Sequence, residues 1–288
     1  MPELPEIETI KLGLQKKIIG LKISKIQINS AKSFIGNPNL AQGQKVLKIE
    51  RFAKMLGIDL SGDLSLLFHL KMTGQLIYED GKRLIGGHPT PDMVGPMPNS
   101  HTRVIFSFSD GSHLYFNDQR RFGWIRVIKG SQGNWRDLGI LGNLGPEPLE
   151  DGFDWKVLKF NLFNHKSQPV KVAIMDQKVV SGVGNIYANE ACFDAKIDPR
   201  TRVGDMGDRE FKAIHKGVIR VIKDGIKYGG SSRAHFVDPE GKKGYFLDYA
   251  RVYMKNGRPC QICGTDIKKI QLGARGTYFC PSCQKVVE

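Results

Sequence analysis

The stretch Leu144-Gly145-Pro146-Glu147-Pro148-Leu149 divides the chain into two parts with different hydrophobic patterns. Before it, from Leu21 to about Ile128, apolar residues fall in short runs of the kind that strands contain. After it, apolar residues recur at helical spacing. A glycine and two prolines so close together are typical of a linker. We therefore expect a strand-rich first part and a helical second part.

The first part predicts one helix followed by many short strands. Apolar residues at helical spacing indicate a helix that ends near Gly20. The tripeptide Ser109-Asp110-Gly111 predicts a hairpin turn, and 79–101, rich in Gly and Pro, predicts a long surface loop. Together the elements favour a β-sandwich or barrel-like domain with the helix packed on it. Strands are expected at 22–28, 44–51, 55–60, 64–70, 102–108, 113–117 and 123–128.

The second part predicts three longer helical stretches and a cysteine-rich end. Helical spacing recurs in 155–163, 186–192 and 211–226. Residues 229–247 are rich in Gly and charge and predict a mobile loop. The fold class is therefore α+β with several domains. The predicted domain bounds are 1–143, 144–247 and 248–288.

The charge of the chain indicates a polyanionic partner. Its 288 residues carry a net charge of +14 at pH 7, and Lys and Arg supply most non-specific affinity for nucleic acids. There is no apolar run of about 18 residues, so we expect no membrane span. The N-terminus also lacks the pattern of a signal peptide.

Four cysteines form two C-x-x-C pairs: Cys260, Cys263, Cys280 and Cys283. Four thiolates make a closed tetrahedral Zn²⁺ site, which is structural because no coordination position stays open for water. A redox pair is the alternative, but the surrounding sequence lacks a βαβ pattern. The fifth cysteine, Cys192, falls in an apolar helical run and is expected in the core.

The N-terminal stretch Met1-Pro2-Glu3-Leu4-Pro5-Glu6 contains a candidate nucleophile. Removal of Met1 would leave Pro2 with a free amine, whose pKa of about 7.7–8.0 compares with about 10.4 for Lys. A neutral amine attacks an electrophilic carbon to form an imine, and Glu3 and Glu6 supply carboxylates for proton transfer. The alternative is a plain helix start, in which proline presets φ and acids favour the helix dipole.

Other stretches have the composition of nucleic-acid contacts. The Gly-rich turn Ser181–Ala188 precedes a helix, and its Asn185 can donate to phosphate and cap the helix. Met72 and Phe122 follow strands and are apolar wedges of the kind that fill a vacated base stack. Taken alone, the Gly-rich turn is equally well explained as a plain helix joint, whereas Met72 and Phe122 are better explained as ordinary core or turn residues. Lys54 precedes an apolar strand, where a solvated lysine is the alternative.

Taken together, these stretches resemble the formamidopyrimidine-DNA glycosylase family, bacterial repair enzymes that excise oxidised purines. The resemblance implies an N-terminal β-sandwich with a nucleophile-bearing helix, a helix–two-turn–helix domain and a C-terminal zinc finger, with DNA in the cleft between the halves. The matching stretches run in family order: Pro2–Glu8, Ala53–Lys54, His69–Gly74, Asp118–Gly123, Leu144–Leu149, Met175–Glu190, Gly241–Phe246 and Pro259–Lys285.

The resemblance also implies a role for each matching position. Pro2 corresponds to the nucleophile that attacks C1′, and Glu3 to the acid that protonates the sugar. Lys54 corresponds to a lysine credited with proton transfer, and Arg275 to the zinc-finger arginine at the phosphate. The residues that fill the gap left by the flipped base are Met72, Arg120 and Phe122. The other implied DNA contacts are Asn185, His101, Lys166 and Lys171, and a loop near 230–246 covers the everted base.

The function implied is a bifunctional DNA glycosylase and AP lyase for 8-oxoguanine and formamidopyrimidines. It uses a proline Schiff base followed by β- and δ-elimination, with one structural Zn²⁺ and no other cofactor. The partner is double-stranded DNA with an oxidised base, and the protein is a monomer in the bacterial cytoplasm, associated with the nucleoid. The alternatives are an endonuclease VIII-like glycosylase for oxidised pyrimidines, a catalytically inactive zinc-finger DNA-binding protein and a zinc-ribbon RNA-binding factor.

Overall fold

The computed structural model describes residues 1–87, 95–130, 139, 142–231 and 245–287. The chain forms two compact units, Met1–Gly142 with Tyr228–Tyr245 and Asn143–Lys227 with Phe246–Glu288. These units place 228–245 with the strand-rich part, whereas the predicted domain bounds, which stay a prediction, place them with the helical part. Among the described residues, no helix has both the length and the apolar character needed to cross a bilayer.

The first unit is a β-sandwich preceded by a helix, as predicted. The helix α1 spans Leu4–Ile18. Its described strands are β1 Ile23–Ile28, β2 Phe34–Ile35, β3 Val46–Phe52, β4 Met55–Leu60, β5 Leu64–His69, β6 Gly74–Glu79, β7 Arg83–Gly87, β8 Thr102–Phe108, β9 His113–Asp118 and β10 Trp124–Lys129. One sheet has the order β1-β8-β9-β6-β7 and the other β2-β10-β5-β4-β3. All pairings are antiparallel except that of β2 with β10.

The predicted loop at 79–101 is wrong in part, because β7 lies within it. Strand β7 pairs with β6 and contains Gly86, which the sequence pattern assigns to a loop. A Cβ built on Gly86 would lie 2.1 Å from Cγ1 of Ile10 on α1, closer than any real Cβ contact. The glycine is therefore needed for the helix to pack on the strand, and it marks close packing instead of a turn. Residues 88–94 of the predicted loop lie outside the described residues.

The second unit contains the predicted helices and a hairpin that lies between the two cysteine pairs in sequence. Helix α4 (Asn185–Asp194) and helix α5 (Asp208–Lys227) approach closely, because a Cβ on Gly217 of α5 would lie 2.7 Å from the carbonyl oxygen of Ala191 on α4. Residues 246–247, predicted in the loop, instead begin the last helix, and 232–244 of that loop lie outside the described residues. The elements are α2 Trp155–Asn161, α3 Val170–Ala173, α4 Asn185–Asp194, α5 Asp208–Lys227, α6 Phe246–Tyr249, β11 Lys268–Leu272 and β12 Arg275–Phe279.

Helix α4 holds the cysteine segment through two buried side chains. The Glu190 carboxylate accepts hydrogen bonds from the backbone N–H groups of residues 251, 252 and 253, at 2.8–3.0 Å. The Asn189 side-chain oxygen accepts one from the N–H of Tyr278 in β12, at 2.7 Å. Burial raises the pKa of Glu190, against the opposing effect of these donors. Glu190 thus fixes residues 251–253 and Asn189 fixes the hairpin relative to α4, through side chains that are at most 2% exposed.

Candidate active site and zinc site

The start of α1 presents Pro2 and Glu3 in a buried setting. Pro2 is buried just before the helix, and Glu3 is 3% exposed at its N-cap position. Met1, in contrast, is 40% exposed. The positive end of a helix dipole stabilises anions and disfavours cations. Removal of Met1 would place the Pro2 amine at this positive end of α1.

Glu6 joins the start of α1 to a distant segment of the same unit. Its Oε2 accepts a hydrogen bond from the Glu3 N–H at 2.7 Å, and its Oε1 accepts one from the Ser231 N–H at 2.7 Å. Gly230, with φ +78°, lies so close that a Cβ there would be 3.0 Å from Oε1. Both oxygens act as backbone acceptors, which favours a structural role for Glu6 over the predicted proton transfer.

Lys54 lies in the turn between β3 and β4, where it is 6% exposed and therefore not a solvated lysine. The turn is tied to α1 through Arg51, whose Nη1 donates to the Ala53 carbonyl at 3.3 Å and whose Nε lies 2.7 Å from Oε2 of Glu8. Burial raises the pKa of Glu8, but hydrogen bonds from Lys11 and Arg51 outweigh it and hold the pKa below its usual value. A partly buried ion pair thus connects α1 to the Lys54 turn.

His69 ends β5 next to these groups. It pairs with Met55 of β4, its Nδ1 accepts the Lys71 N–H at 3.1 Å, and its ring packs 5.8 Å from that of Trp124. Burial, reinforced by the charges of Lys71 and Lys54, lowers the pKa of His69 to about 3. His69 is therefore a neutral structural acceptor at physiological pH.

The lowered pKa of His69 predicts that the protein loses stability in mild acid. The unfolded state takes up a proton near pH 6.5 and the folded state only near pH 3, so the free energy of unfolding falls as pH drops through that window. We expect a loss of about 2 kcal/mol from this group between about pH 7 and pH 5. Urea unfolding at both pH values should show it in the wild type and not in His69→Asn, which keeps an acceptor for Lys71. An equal loss in both proteins would contradict the assignment.

Two turns of the sandwich carry the predicted gap-filling residues. The Met72 turn (Leu70–Gly74) leads into β6, and the Arg120 turn (Asp118–Gly123) follows β9. Met72 is half-buried, whereas Arg120 is exposed and Phe122 is 54% exposed, with the Arg120 guanidinium 4.7 Å from the Phe122 ring centre. The two turns are adjacent, because Gly74 pairs with Asp118 between the strands. The structure thus brings the three residues together on one side of the first unit.

In the second unit, Asn185 and Lys171 act as a pair beside the hairpin. Lys171 is fully buried, and its Nζ donates to Oδ1 of Asn185 at 2.6 Å. The Asn185 amide donates to the Gly276 carbonyl at 3.2 Å, next to Arg275. The expectation that Asn185 caps α4 is wrong: Gly184 is the N-cap residue, and the Asn185 side chain points to these partners instead. Burial places Lys171 behind Asn185, which favours an indirect role.

Arg275 lies at the tip of the hairpin, as predicted. The two residues between β11 and β12, Gly273 and Ala274, have φ of +53° and +58°, and Arg275 follows them exposed to solvent. Of the other predicted DNA contacts, Lys166 is exposed, with its ammonium 4.2 Å from the Phe163 ring centre. His101 is half-buried, and its carbonyl accepts the N–H of Asp118 at 3.0 Å. The roles of all these residues stay predictions.

The four cysteines fit a zinc ion. Their sulfur atoms all lie within 4.8 Å of one another, with Cys260 and Cys283 at 3.9 Å and Cys263 and Cys280 at 3.4 Å. Tetrahedral coordination with Zn–S bonds of about 2.3 Å requires sulfur separations of roughly 3.8 Å. The expectation of one structural Zn²⁺ is confirmed. Cys192 is buried in the core as predicted, and burial raises its pKa to about 12, so it stays a thiol.

Some residues that organise these sites were not singled out from sequence. Asp118 and Thr73 hold the two turns together, and the only local signal was their place beside Arg120 and Met72. Arg51 gave no signal, since its contact with Glu8 joins residues far apart in sequence. The Arg51–Glu8 contact forms only when α1 packs on the sandwich.

Comparison with protein families agrees with this architecture. Residues 1–125 match the formamidopyrimidine-DNA glycosylase N-terminal domain, and 144–237 match the H2TH domain of the same enzymes. Residues 257–286 match the zinc finger found in FPG and IleRS. The predicted order of sandwich, helix–two-turn–helix domain and zinc finger is therefore confirmed.

Relatives and solved structures cover the whole chain. Formamidopyrimidine-DNA glycosylases from Hahella chejuensis and Listeria monocytogenes are 39% and 35% identical, over 99% of this chain and 100% of theirs. The crystal structure of MutM (Fpg) from Thermus thermophilus has a TM-score of 0.81 at 32% identity, over 98% of each chain. Lactococcus lactis Fpg bound to DNA containing an abasic site has a TM-score of 0.84 at 29% identity, over 98% of this chain and 99% of its own. The chain therefore belongs to the formamidopyrimidine-DNA glycosylase family, whose members are DNA glycosylases and AP lyases.

Proposed function

We propose that this protein excises oxidised purines from duplex DNA through an imine on Pro2 and then cleaves the strand. The observation that carries the proposal is the buried start of α1, where Pro2 and Glu3 lie at the positive end of the helix. The Glu8–Arg51 ion pair ties the Lys54 turn to the same helix. Solved relatives bind Fapy-dG-containing and abasic-site-containing DNA, which supports damaged DNA as the substrate.

Base loss and imine formation use Pro2 and Glu3. The Pro2 nitrogen bonds to C1′ while Glu3 protonates the ring oxygen O4′, whose bond to C1′ breaks. The base then leaves C1′ with the bonding electron pair and takes up the proton that the Pro2 nitrogen releases as it forms an iminium with C1′. A secondary amine suits this step, because its iminium has no N–H proton left to lose and therefore keeps its positive charge.

Strand cleavage follows from the acidity that the iminium gives to the sugar. Removal of a C2′ proton expels the 3′ phosphate, and removal of a second sugar proton expels the 5′ phosphate. Lys54, buried in the turn that Arg51 ties to α1, is the proposed proton carrier. Arg275 and Asn185 are proposed to bind phosphate in the second unit, with Lys171 orienting Asn185 through its 2.6 Å hydrogen bond.

Binding as a monomer to duplex DNA accounts for the charge of +14. DNA as the substrate places the protein in the bacterial cytoplasm, associated with the nucleoid. The zinc ion shapes the hairpin that carries Arg275 and supplies no chemical step, because its four positions are filled by thiolates.

Single-turnover excision tests the lesion class. Duplexes with 8-oxoguanine, a formamidopyrimidine or 5-hydroxyuracil, each at one position, should be processed with the two purine lesions fastest. Strand ends that carry phosphate on both sides of the gap would show β- followed by δ-elimination. Faster release of 5-hydroxyuracil would favour the endonuclease VIII-like alternative, and tight binding without excision of any lesion would favour an inactive DNA-binding protein.

A further inference from the structure

The Met72 turn and the Arg120 turn meet at one carboxylate. Asp118 ends β9, is fully buried, and pairs with Gly74, the first residue of β6. Its Oδ1 accepts hydrogen bonds from the Thr73 hydroxyl and, at 3.2 Å, from the Arg120 N–H. Its Oδ2 accepts the N–H of Gly123 at 2.7 Å. One side chain therefore receives donors from both turns.

Thr73 reinforces this connection from the Met72 turn. Its hydroxyl oxygen accepts a hydrogen bond from the Arg120 N–H at 3.0 Å, and the hydroxyl O–H donates one to the Asp118 carboxylate. The hydroxyl thus links Thr73 to both Asp118 and Arg120, the first and third residues of the Arg120 turn. A hydroxyl that donates to one partner and accepts from another fixes both positions, because neither bond survives a shift of the turns by about 1 Å.

The surrounding backbone shows why the carboxylate is needed. Lys71 and Arg121, which precede Met72 and Phe122, have φ of +50° and +55°, conformations that side-chain-bearing residues adopt at a cost. Gly123 has no Cβ, and one built there would lie 3.0 Å from Oδ2 of Asp118. Both turns are thus held in strained conformations against a single buried acceptor group.

The backbone of Asp118 is also held by a side chain of the neighbouring strand β8. Arg103, 6% exposed on β8, donates from Nε to the Asp118 carbonyl at 2.7 Å and from Nη1 to the Ser100 carbonyl at 3.0 Å. A buried carboxylate that accepts several hydrogen bonds, on a backbone that a guanidinium also holds, has little freedom to move. Its oxygens are occupied by donors of the two turns, which suits a role in holding them and not a role in chemistry.

We propose that Asp118, through Thr73, is a positioning residue that holds the Met72 turn and the Arg120 turn in one arrangement, so that Met72 and the Arg120–Phe122 pair enter a duplex together. The inference rests on the proposed function, since it concerns how the gap left by the damaged base is filled. Prearranged groups avoid the entropic cost of ordering two separate turns on DNA.

Thr73→Val and Thr73→Ser test this directly, because valine keeps the shape of threonine and serine keeps the hydroxyl. For Thr73→Val we expect excision of 8-oxoguanine opposite cytosine to slow by about 10- to 100-fold. A 2-aminopurine next to the lesion should lose its fluorescence increase, which reports insertion into the stack. Borohydride trapping on a preformed abasic site should stay within about twofold of the wild type, since chemistry there needs no base eversion. Thr73→Ser should restore both excision and fluorescence.

The outcomes separate this inference from the proposed function. If the wild type traps and excises and Thr73→Val excises at the full rate, the inference is overturned and the proposed function stands. Equal losses of excision and abasic-site trapping in Thr73→Val would also overturn it, since they would indicate general damage. A wild-type protein that neither excises nor traps would overturn the proposed function, and the inference with it. Folded Asp118→Asn protein, measured alongside, should show the same selective loss of excision with trapping retained.

Discussion

Glu3→Gln is expected to lose base excision by about 10²–10⁴-fold while it still forms a trapped imine on DNA with a preformed abasic site. Glutamine keeps the size of glutamate, so the buried position at the N-cap of α1 stays filled. Its amide cannot give up a proton as a carboxylic acid does. The loss should therefore fall on the step that protonates the sugar, whereas attack by the Pro2 amine on an open aldehyde remains.

The measurement is single-turnover excision of 8-oxoguanine beside borohydride trapping on abasic DNA. Glu50→Gln is the matched control, since it makes the same change in a carboxylate that pairs with Lys48 on β3. It should leave both activities unchanged. If Glu3→Gln excised at the wild-type rate, Glu3 would not be the acid; if it lost both activities equally, Glu3 would serve mainly to hold the start of α1.

Cys260→Ser is expected to abolish zinc binding and to weaken binding of duplex DNA by at least about tenfold. The metal holds both ends of the β11–β12 hairpin, whose small core contains Phe193, Val252 and Ile267. Without it, the hairpin loses the order that places Arg275 at its tip. The effect should arise from local unfolding and not from a lost chemical step.

Zinc content and DNA affinity should be measured on the same samples. Cys192→Ala is the matched control, because Cys192 is a buried thiol outside the four-sulfur cluster and has no role in the metal site. It should keep one zinc per chain and bind DNA as the wild type does. A Cys260→Ser protein that binds DNA normally but cannot cleave it would contradict a purely structural role for the metal.

Local sequence patterns predicted much of the fold and missed the elements that depend on long-range packing. Helix α1 and the hairpin at 109–111 were found because each is determined by its own periodicity or turn residues. Strand β7 was missed because Gly86 resembles a loop residue, and only the contact with Ile10 explains why it is glycine. Strand β6, buried on both faces, lacks the alternation that marks a half-buried strand.

The candidate site was predictable where chemistry requires particular residue types. Pro2 and the cysteine pairs carry their meaning in residue type and spacing, so they could be found without a structure. Asp118 could not, because its importance lies in accepting donors from Thr73 and Gly123 at once. Glu6 is similar: its bond to Ser231 joins positions 225 residues apart.

Borohydride trapping on duplex DNA with 8-oxoguanine opposite cytosine tests whether Pro2 forms an imine with the damaged nucleotide. The duplex should be run beside one with 5-hydroxyuracil, and Pro2→Gly beside the wild type. Protein made with methionine aminopeptidase inhibited, which keeps Met1 and leaves the Pro2 nitrogen an amide, is the sequence-matched control. We expect an adduct at the mass of the Met1-less chain, linked through residue 2, stronger with 8-oxoguanine and absent when Met1 is retained. No adduct on either duplex, despite confirmed Met1 removal and tight DNA binding, would contradict it.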